Sequence, residues 1–407
     1  MRMNKCAYLF AAALVASTVG MTSCSNEDVA GIENIQGQQS NVTLGLSVKG
    51  AGSRAAEDMN FSNTTAITNV AVVPFVGTAP QKPIQWASVT STTDPKTVQM
   101  VNTVESFKVY GNLSAAQYAK TLNAYTLTDA DFALTVADGN IKDVNSQDCY
   151  NPHTQLYYFK NATSFKRATT GTDWASASYG SDEKGAIGSA KFIKISDVNY
   201  AVGTFVAAIL NGDNTACFYD NADLSGDGKT AADAGVKVSG IMIEGQKDFD
   251  VNLAVKGSDK TVYEKADKDG AFASDKVTGT GDALTNGNIF VIVSPSDEDE
   301  EINANIEFTL PANTYLKLTS GSKIGGTTDT KFYLAVKMKT AKSASEDEGV
   351  NTYNVNRVFA ADYVTILNAT VKNWGIATDK PSTVSDAQIG VEFDVTWKTG
   401  NIYDVEI

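Results

Sequence analysis

Few residues in this chain have the types and spacing that could do chemistry. Asp223, Ser225, Asp227 and Gly228 match positions one, three, five and six of an EF-hand-type calcium loop, where side-chain oxygens surround a hard cation. Position twelve of such a loop needs a bidentate acid; here it is Ala234, with Asp233 one residue early. Asp and Gly are also what a surface turn selects, so the plain turn is the simpler reading and calcium the one cation the sequence offers a place for. The lone histidine, His153, sits in Asn151-Pro152-His153-Thr154, a turn context with no second ligand at metalloprotease spacing. Five successive acids, Asp297-Glu298-Asp299-Glu300-Glu301, follow Pro295 and read as a solvated loop rather than a catalytic cluster. The chain has no GxSxG elbow, no phosphate-binding loop and no GxGxxG before a helix, and nothing marks two of its acids as a glycosidase pair. The expectation is a protein that is not an enzyme and has no resident cofactor.

Two other sites involve covalent chemistry done to the chain. Arg2 and Lys5 precede the short apolar run Ala7-Tyr8-Leu9-Phe10-Ala11-Ala12-Ala13-Leu14-Val15-Ala16, the layout of a secretory leader too short for a permanent membrane span. The run ends in Met21-Thr22-Ser23-Cys24, and small residues directly before a cysteine resemble a bacterial lipobox. Cys24 would then be acylated and become the new N-terminus. Ser25-Asn26-Glu27-Asp28 resembles the acidic tag that sends lipoproteins of the Bacteroidetes to the cell surface. Further on, Gly50-Ala51-Gly52-Ser53-Arg54-Ala55-Ala56 is a small-residue tract around one basic side chain, which looks like a protease site with Arg54 before the cut and Ala55 after it.

Composition fits export. The 407 residues carry a formal charge of −14, and loss of residues 1–23 removes Arg2 and Lys5 and makes the chain more acidic still. No Lys/Arg patch stands out, so nucleic acid is not an expected partner. With Cys6 in the leader and Cys24 lipidated, Cys149 and Cys217 remain; a disulfide in an oxidising compartment and two isolated thiols are both open.

The elements that must position these sites read as β almost throughout. Val42, Leu44, Leu46 and Val48 alternate with polar partners, the pattern of a strand with one buried face. Phe249, Val251, Leu253 and Val255 alternate in the same way. So do Ile306, Phe308 and Leu310, then Phe332, Leu334, Val336 and Met338, and finally Ile389, Val391, Phe393, Val395 and Trp397. Ile289-Phe290-Val291-Ile292-Val293 is a continuous apolar run suited to a strand buried on both faces. Thr319-Ser320-Gly321-Ser322 and Lys398-Thr399-Gly400-Asn401 read as breaks. One helix is expected within 112–122, with Asn112 or Ser114 as its cap. Many short strands with polar turns predict β-sandwich architecture, and the length after the leader predicts two such domains. The division expected is a leader at 1–23, a propeptide with the first strand at 24–54, and β-sandwich domains at 55–235 and 236–407.

These features together resemble the fimbrillins of the Bacteroidetes, subunits of type V pili. Besides the leader and Ser53-Arg54-Ala55, the resemblance runs through four segments of the second half. Val238-Ser239-Gly240-Ile241-Met242-Ile243-Glu244-Gly245-Gln246 is similar to the segment opening the family's C-terminal domain. Lys331-Phe332-Tyr333-Leu334-Ala335-Val336-Lys337 resembles its KFYLxxK strand. Arg357 to Thr365 and Ile389 to Trp397 resemble its closing strands.

The resemblance implies a mainly β protein of two tandem Greek-key, transthyretin-like sandwiches. It implies a lipid-anchored precursor at the outer membrane, cut after Arg54 by a surface Arg-specific protease. The strand bearing Val42, Leu44, Leu46 and Val48 would leave, and a strand from another fimbrial subunit would replace it. Each of those four side chains is worth about 1.5–3 kcal/mol when fully buried. The last residues offer a donor in Tyr403, Val405 and Ile407, with Ile389 to Trp397 an alternative. A glycan-binding surface lipoprotein would share the leader and β domains but would need exposed aromatic platforms. Trp86, Trp174, Trp374 and Trp397 are the candidates for that role and, equally, for the core.

Overall fold

The structure, a computed structural model, describes residues 39–48, 69–86, 96–101, 104, 106–122, 124–162, 184–187, 190–266, 270–277, 288–339, 357–361, 363–383, 390–392 and 399–406. All lie within the compact unit Gln36–Ile407. The strands are β1 (Gln39–Val48), β2 (Val70–Val76), β3 (Ala79–Pro80), β4 (Ile84–Trp86), β5 (Lys96–Val101), β6 (Ser106–Gly111) and β7 (Tyr158–Ala162). Next come β8 (Lys184–Ile187), β9 (Ala190–Tyr200), β10 (Gly203–Asn211), β11 (Phe218–Tyr219), β12 (Lys237–Phe249), β13 (Val255–Lys265) and β14 (Asn288–Val293). The remainder are β15 (Glu301–Leu310), β16 (Thr314–Lys317), β17 (Lys323–Gly326), β18 (Thr330–Lys339), β19 (Val364–Val371), β20 (Gly390–Glu392) and β21 (Thr399–Glu406). For β1, β20 and β21 the description is of backbone and pairing. The protein is mainly β, with mostly antiparallel sheets.

One sheet runs β3-β2-β6-β7-β9-β1-β5, with β4 added to β2 and β8 to β9. A second runs β14-β10-β19-β21-β20, a third β13-β12-β15-β18, and β11-β16-β17 form a small fourth. Strand β10 precedes residue 235 yet pairs with β14 and β19, which follow it. The main core lies between the second and third sheets. Phe205, Ala207, Ile209, Ile289, Val291, Val293, Leu367 and Ala369 come from one; Ile241, Ile243, Ile306, Phe308, Phe332, Leu334 and Val336 come from the other. Trp374, fully buried, sits among Phe218, Phe272, Phe308 and Phe332, with ring centroids 5.1–6.1 Å away.

The alternation read in β15 and β18 places the expected side chains inside: Ile306, Phe308, Leu310, Phe332, Val336 and Met338 are fully buried. The apolar run of β14 is sandwiched as its composition requires. Ile289, Val291 and Val293 face the main core, while Phe290 and Ile292 face a second cluster containing Phe75, Tyr110, Phe132 and Phe249. The helix is shorter than its pattern, α1 (Ala115–Ala119), and Ser114 caps it through a capping box with Gln117. Gly245 sits at the bulge in β12 with φ +71, where a Cβ would meet Ile302 Cδ1 at 2.3 Å.

Two segments depart from the sequence reading. Residues 250–254 are the turn between β12 and β13, not a strand: Asp250 Oδ1 accepts from the amides of Asn252 and Ala254 at 2.7 and 3.0 Å, and Leu253 has φ +51. Phe249, Val251 and Leu253 still pack inward while Val255 is exposed, so the pattern reports burial and not strand. Thr399-Gly400-Asn401, expected as a break, already belongs to β21.

Candidate functional site: the slot of the first strand and a separate cleft

Strand β1 is not at an edge. It pairs antiparallel with β5, from Gln39↔Val101 to Leu44↔Lys96, and parallel with β9, from Thr43↔Phe192 to Leu46↔Ile195 and then Val48↔Val198 across a register shift. The first half of β1, with Val42, thus pairs with β5 and the second half, with Leu46 and Val48, with β9, and Thr43 and Leu44 have partners on both sides. Among the described residues β5 has no other strand partner, and on this side of β9 the stretch Phe192–Val198 has none but β1. Without β1, two rows of backbone donors and acceptors would be left open.

Strand β21 carries Tyr403 and Val405. It runs parallel to β19, with Leu367↔Tyr403 and Ala369↔Val405, and antiparallel to β20, with Val391↔Tyr403. Its neighbours thus have the same polarities as those of β1, one parallel and one antiparallel. Cys24, Arg54, Ala55 and Ile407 lie outside the described residues.

Asp223, Ser225 and Asp227 lie in an exposed turn. Asn221 closes it: Oδ1 accepts from the Ser225 amide at 3.1 Å and Nδ2 donates to the Ser225 carbonyl at 2.8 Å. Among the described residues no three His, Cys, Asp or Glu side chains converge as a metal cluster. The acidic run is a knot of ion pairs more than a free loop. Asp297 meets Lys247 at 2.6 Å, Glu298 meets Arg357 at 3.1 Å, and Glu301 meets Lys337 and Lys339 at 3.0 and 3.1 Å.

Cys149 and Cys217 are unpaired thiols, and burial pushes their pKa up to about 12 and about 11, which disfavours the thiolate of each. His153 is 8% exposed, its ring 4.7 Å from that of Phe249, with Nε2 3.2 Å from the Lys247 carbonyl oxygen. Burial lowers its pKa to about 4, so it is a neutral core residue despite its turn-like context. Trp374, fully buried, cannot serve as a glycan platform.

A cleft of about 1150 Å³ opens between segment 112–157 and strands β13, β14 and β18. Tyr157, His153, Tyr263 and Phe290 line it with Glu264 and Lys331. Beside it Glu307, 2% exposed, accepts from Tyr263 Oη at 2.9 Å, from Tyr333 Oη at 3.0 Å and from Lys331 Nζ. Gln117 Nε2 donates to Tyr157 Oη at 2.9 Å, and Asp131 pairs with Lys120. Sequence reasoning missed this cleft because its walls come from segments more than a hundred residues apart, and no local spacing marks it.

No protein-family model matches the chain, and no curated protein does. Among solved structures, it is similar to "a putative cell adhesion protein" from Bacteroides uniformis ATCC 8492, with 14% identity over 83% of this chain and 96% of that one, at a TM-score of 0.33. A second "putative cell adhesion protein", from Bacteroides fragilis NCTC 9343, matches at 10% identity over 84% and 99% of the two chains, TM-score 0.32. A "putative adhesin" from Bacteroides ovatus matches at 9% over 70% and 74%, TM-score 0.30. Scores this low carry no argument about fold or role; both rest on the strands and residues themselves.

Proposed function

We propose that this chain is the precursor of a cell-surface fimbrial subunit, polymerised by exchange of its first strand and serving adhesion. It would be exported as an outer-membrane lipoprotein acylated at Cys24 and cut between Arg54 and Ala55 by an Arg-specific protease. The observation that carries the reading is the interior position of β1. A strand held between two others by backbone pairing, ahead of a small-residue tract with one arginine, is a part that can be removed to leave a strand-shaped vacancy. Unpaired strand edges accept any suitable strand, through main-chain bonds and alternating side-chain pockets.

Strand β21 is the donor we favour, because it already lies between one parallel and one antiparallel neighbour. Head-to-tail donation does not close on itself and builds a filament of copies and accessory subunits. The reading makes the protein structural, not enzymatic. The test is the N-terminus of protein shed from the cell surface, read by mass spectrometry. A start at Ala55 is the expected result. An acylated Cys24 on every molecule would instead fit a lipoprotein that keeps its first strand.

A further inference from the structure

The first sheet is not held together evenly. Strand β2 pairs with β6 from Val70↔Gly111 to Phe75↔Ser106, and β6 with β7 from Phe107↔Ala162 to Gly111↔Tyr158. Between β7 and β9 the described pairing is confined to Tyr158↔Tyr200 and Phe159↔Asn199. Beyond that seam, among the described residues, β1, β5 and β8 pair with the rest of the sheet only through β9. On the near side, β2 and β6 are fastened to the second and third sheets instead. Val73, Phe75 and Tyr110 share one buried cluster with Phe249, Leu253 and Ile292. The turn at 250–254 reaches into this cluster with both backbone groups of Val251 engaged. Its N–H donates to Asp129 Oδ1 at 2.8 Å, and its carbonyl accepts from Tyr110 Oη at 2.7 Å. With its proton on that carbonyl, Tyr110 Oη accepts from Tyr125 Oη at 2.7 Å. Asp129 also pairs with Lys256, just past the turn.

We propose that this turn is a clamp, and that the boundary between the chain's cooperative units runs through the first sheet, at the seam between β7 and β9. Strands β2, β6 and β7 open together with the second and third sheets, whereas β1, β5, β8 and β9 up to Val198 open as a unit of their own. Cooperative units follow continuous buried contacts. Pulling β6 off the turn takes the donor from the Val251 carbonyl and wets the rings of Tyr110 and Phe249, both fully buried. Parting β9 from β7 breaks only a short ladder. The two units belong to the uncut chain and do not depend on strand exchange. Their consequence for assembly does rest on that reading: release of β1 loosens β5 and β9 but leaves β2, β6 and β7 standing, a scaffold on which an incoming strand rebuilds the sheet.

The test is native-state hydrogen exchange of the full chain, read by mass spectrometry in urea below the unfolding midpoint. Amides of β6 and β7 are expected to share the urea dependence of those in β12 and β14, and to exchange slower than those of β1 and β5 by about tenfold or more. The double variant Tyr110→Phe/Asp129→Ala keeps the ring in its cluster and removes both bonds to Val251. It is expected to speed exchange in β6 and β7 by about tenfold, towards that of β1 and β5, while β12 and β14 stay unchanged. The wild-type comparison can overturn the seam by itself: β6 and β7 exchanging with β1 and β5, or all these strands exchanging as one unit, would do so. Unchanged β6 and β7 exchange in the double variant would overturn the clamp.

Discussion

Trp374 and His153 are the residues whose environments differ most from what their types suggest. Trp374 has the chemistry of a sugar platform but fills the centre of the main core, and truncating it leaves a void that four aromatic rings cannot close. Trp374→Ala is expected to cost about 3–5 kcal/mol in urea unfolding. His153 has its pKa lowered on folding, from 6.5 to about 4. Below 6.5 the unfolded chain binds a proton that the folded chain refuses, so this contribution to stability is complete above pH 6.5 and is lost as pH falls toward 4. The loss is about 3 kcal/mol, at 1.36 kcal/mol per pH unit. Urea midpoints at pH 7 and pH 4.5 should therefore fall more steeply with acid for the wild type than for His153→Phe. Equal slopes would mean that His153 is not the neutral core group described.

The elements make plain what the sequence can and cannot disclose. Strands β14, β15 and β18 were legible because each keeps apolar side chains at its inward positions from end to end, so the pattern of burial is the pattern of the strand. The turn at 250–254 reads as a strand in the sequence because Val251 and Leu253, like Phe249 before them, pack on the cluster beneath, whatever their backbone does. Its geometry depends on Asp250, and Asp250→Ala is expected to cost about 1 kcal/mol by leaving the amides of Asn252 and Ala254 without their acceptor. That β1 is a strand was legible; its place in the sheet was not, since its partners lie about 50 and 150 residues away and pairing register leaves no local mark. Strand β21 poses the corresponding question for the donor. Deleting residues 399–407 removes it from its place beside β19 and is expected to give a soluble subunit that does not polymerise. Wild-type ladders of SDS-resistant oligomers from that deletion would exclude it as donor.

At the scale of the whole molecule, the account is of a folded precursor held inactive by its own first strand. Lipid attachment and strand release are separate events in it. Cys24→Ala is therefore expected to take up no fatty-acid label and to form no surface filaments, while the β signal in circular dichroism stays unchanged. Release is the decisive event. Uncut β1 is covalently tethered beside its slot, and its effective concentration far exceeds that of any free donor. Arg54→Ala removes the side chain an Arg-specific protease needs and leaves β1 untouched. The most direct measurement is limited treatment of purified precursor with an Arg-specific protease, which leaves Lys49 uncut, followed by mass spectrometry and electron microscopy of the products. The account predicts that wild-type precursor releases a fragment ending at Arg54 and then assembles, whereas Arg54→Ala stays monomeric. Filaments from Arg54→Ala at the wild-type rate would contradict it, because β1 would then not be the plug.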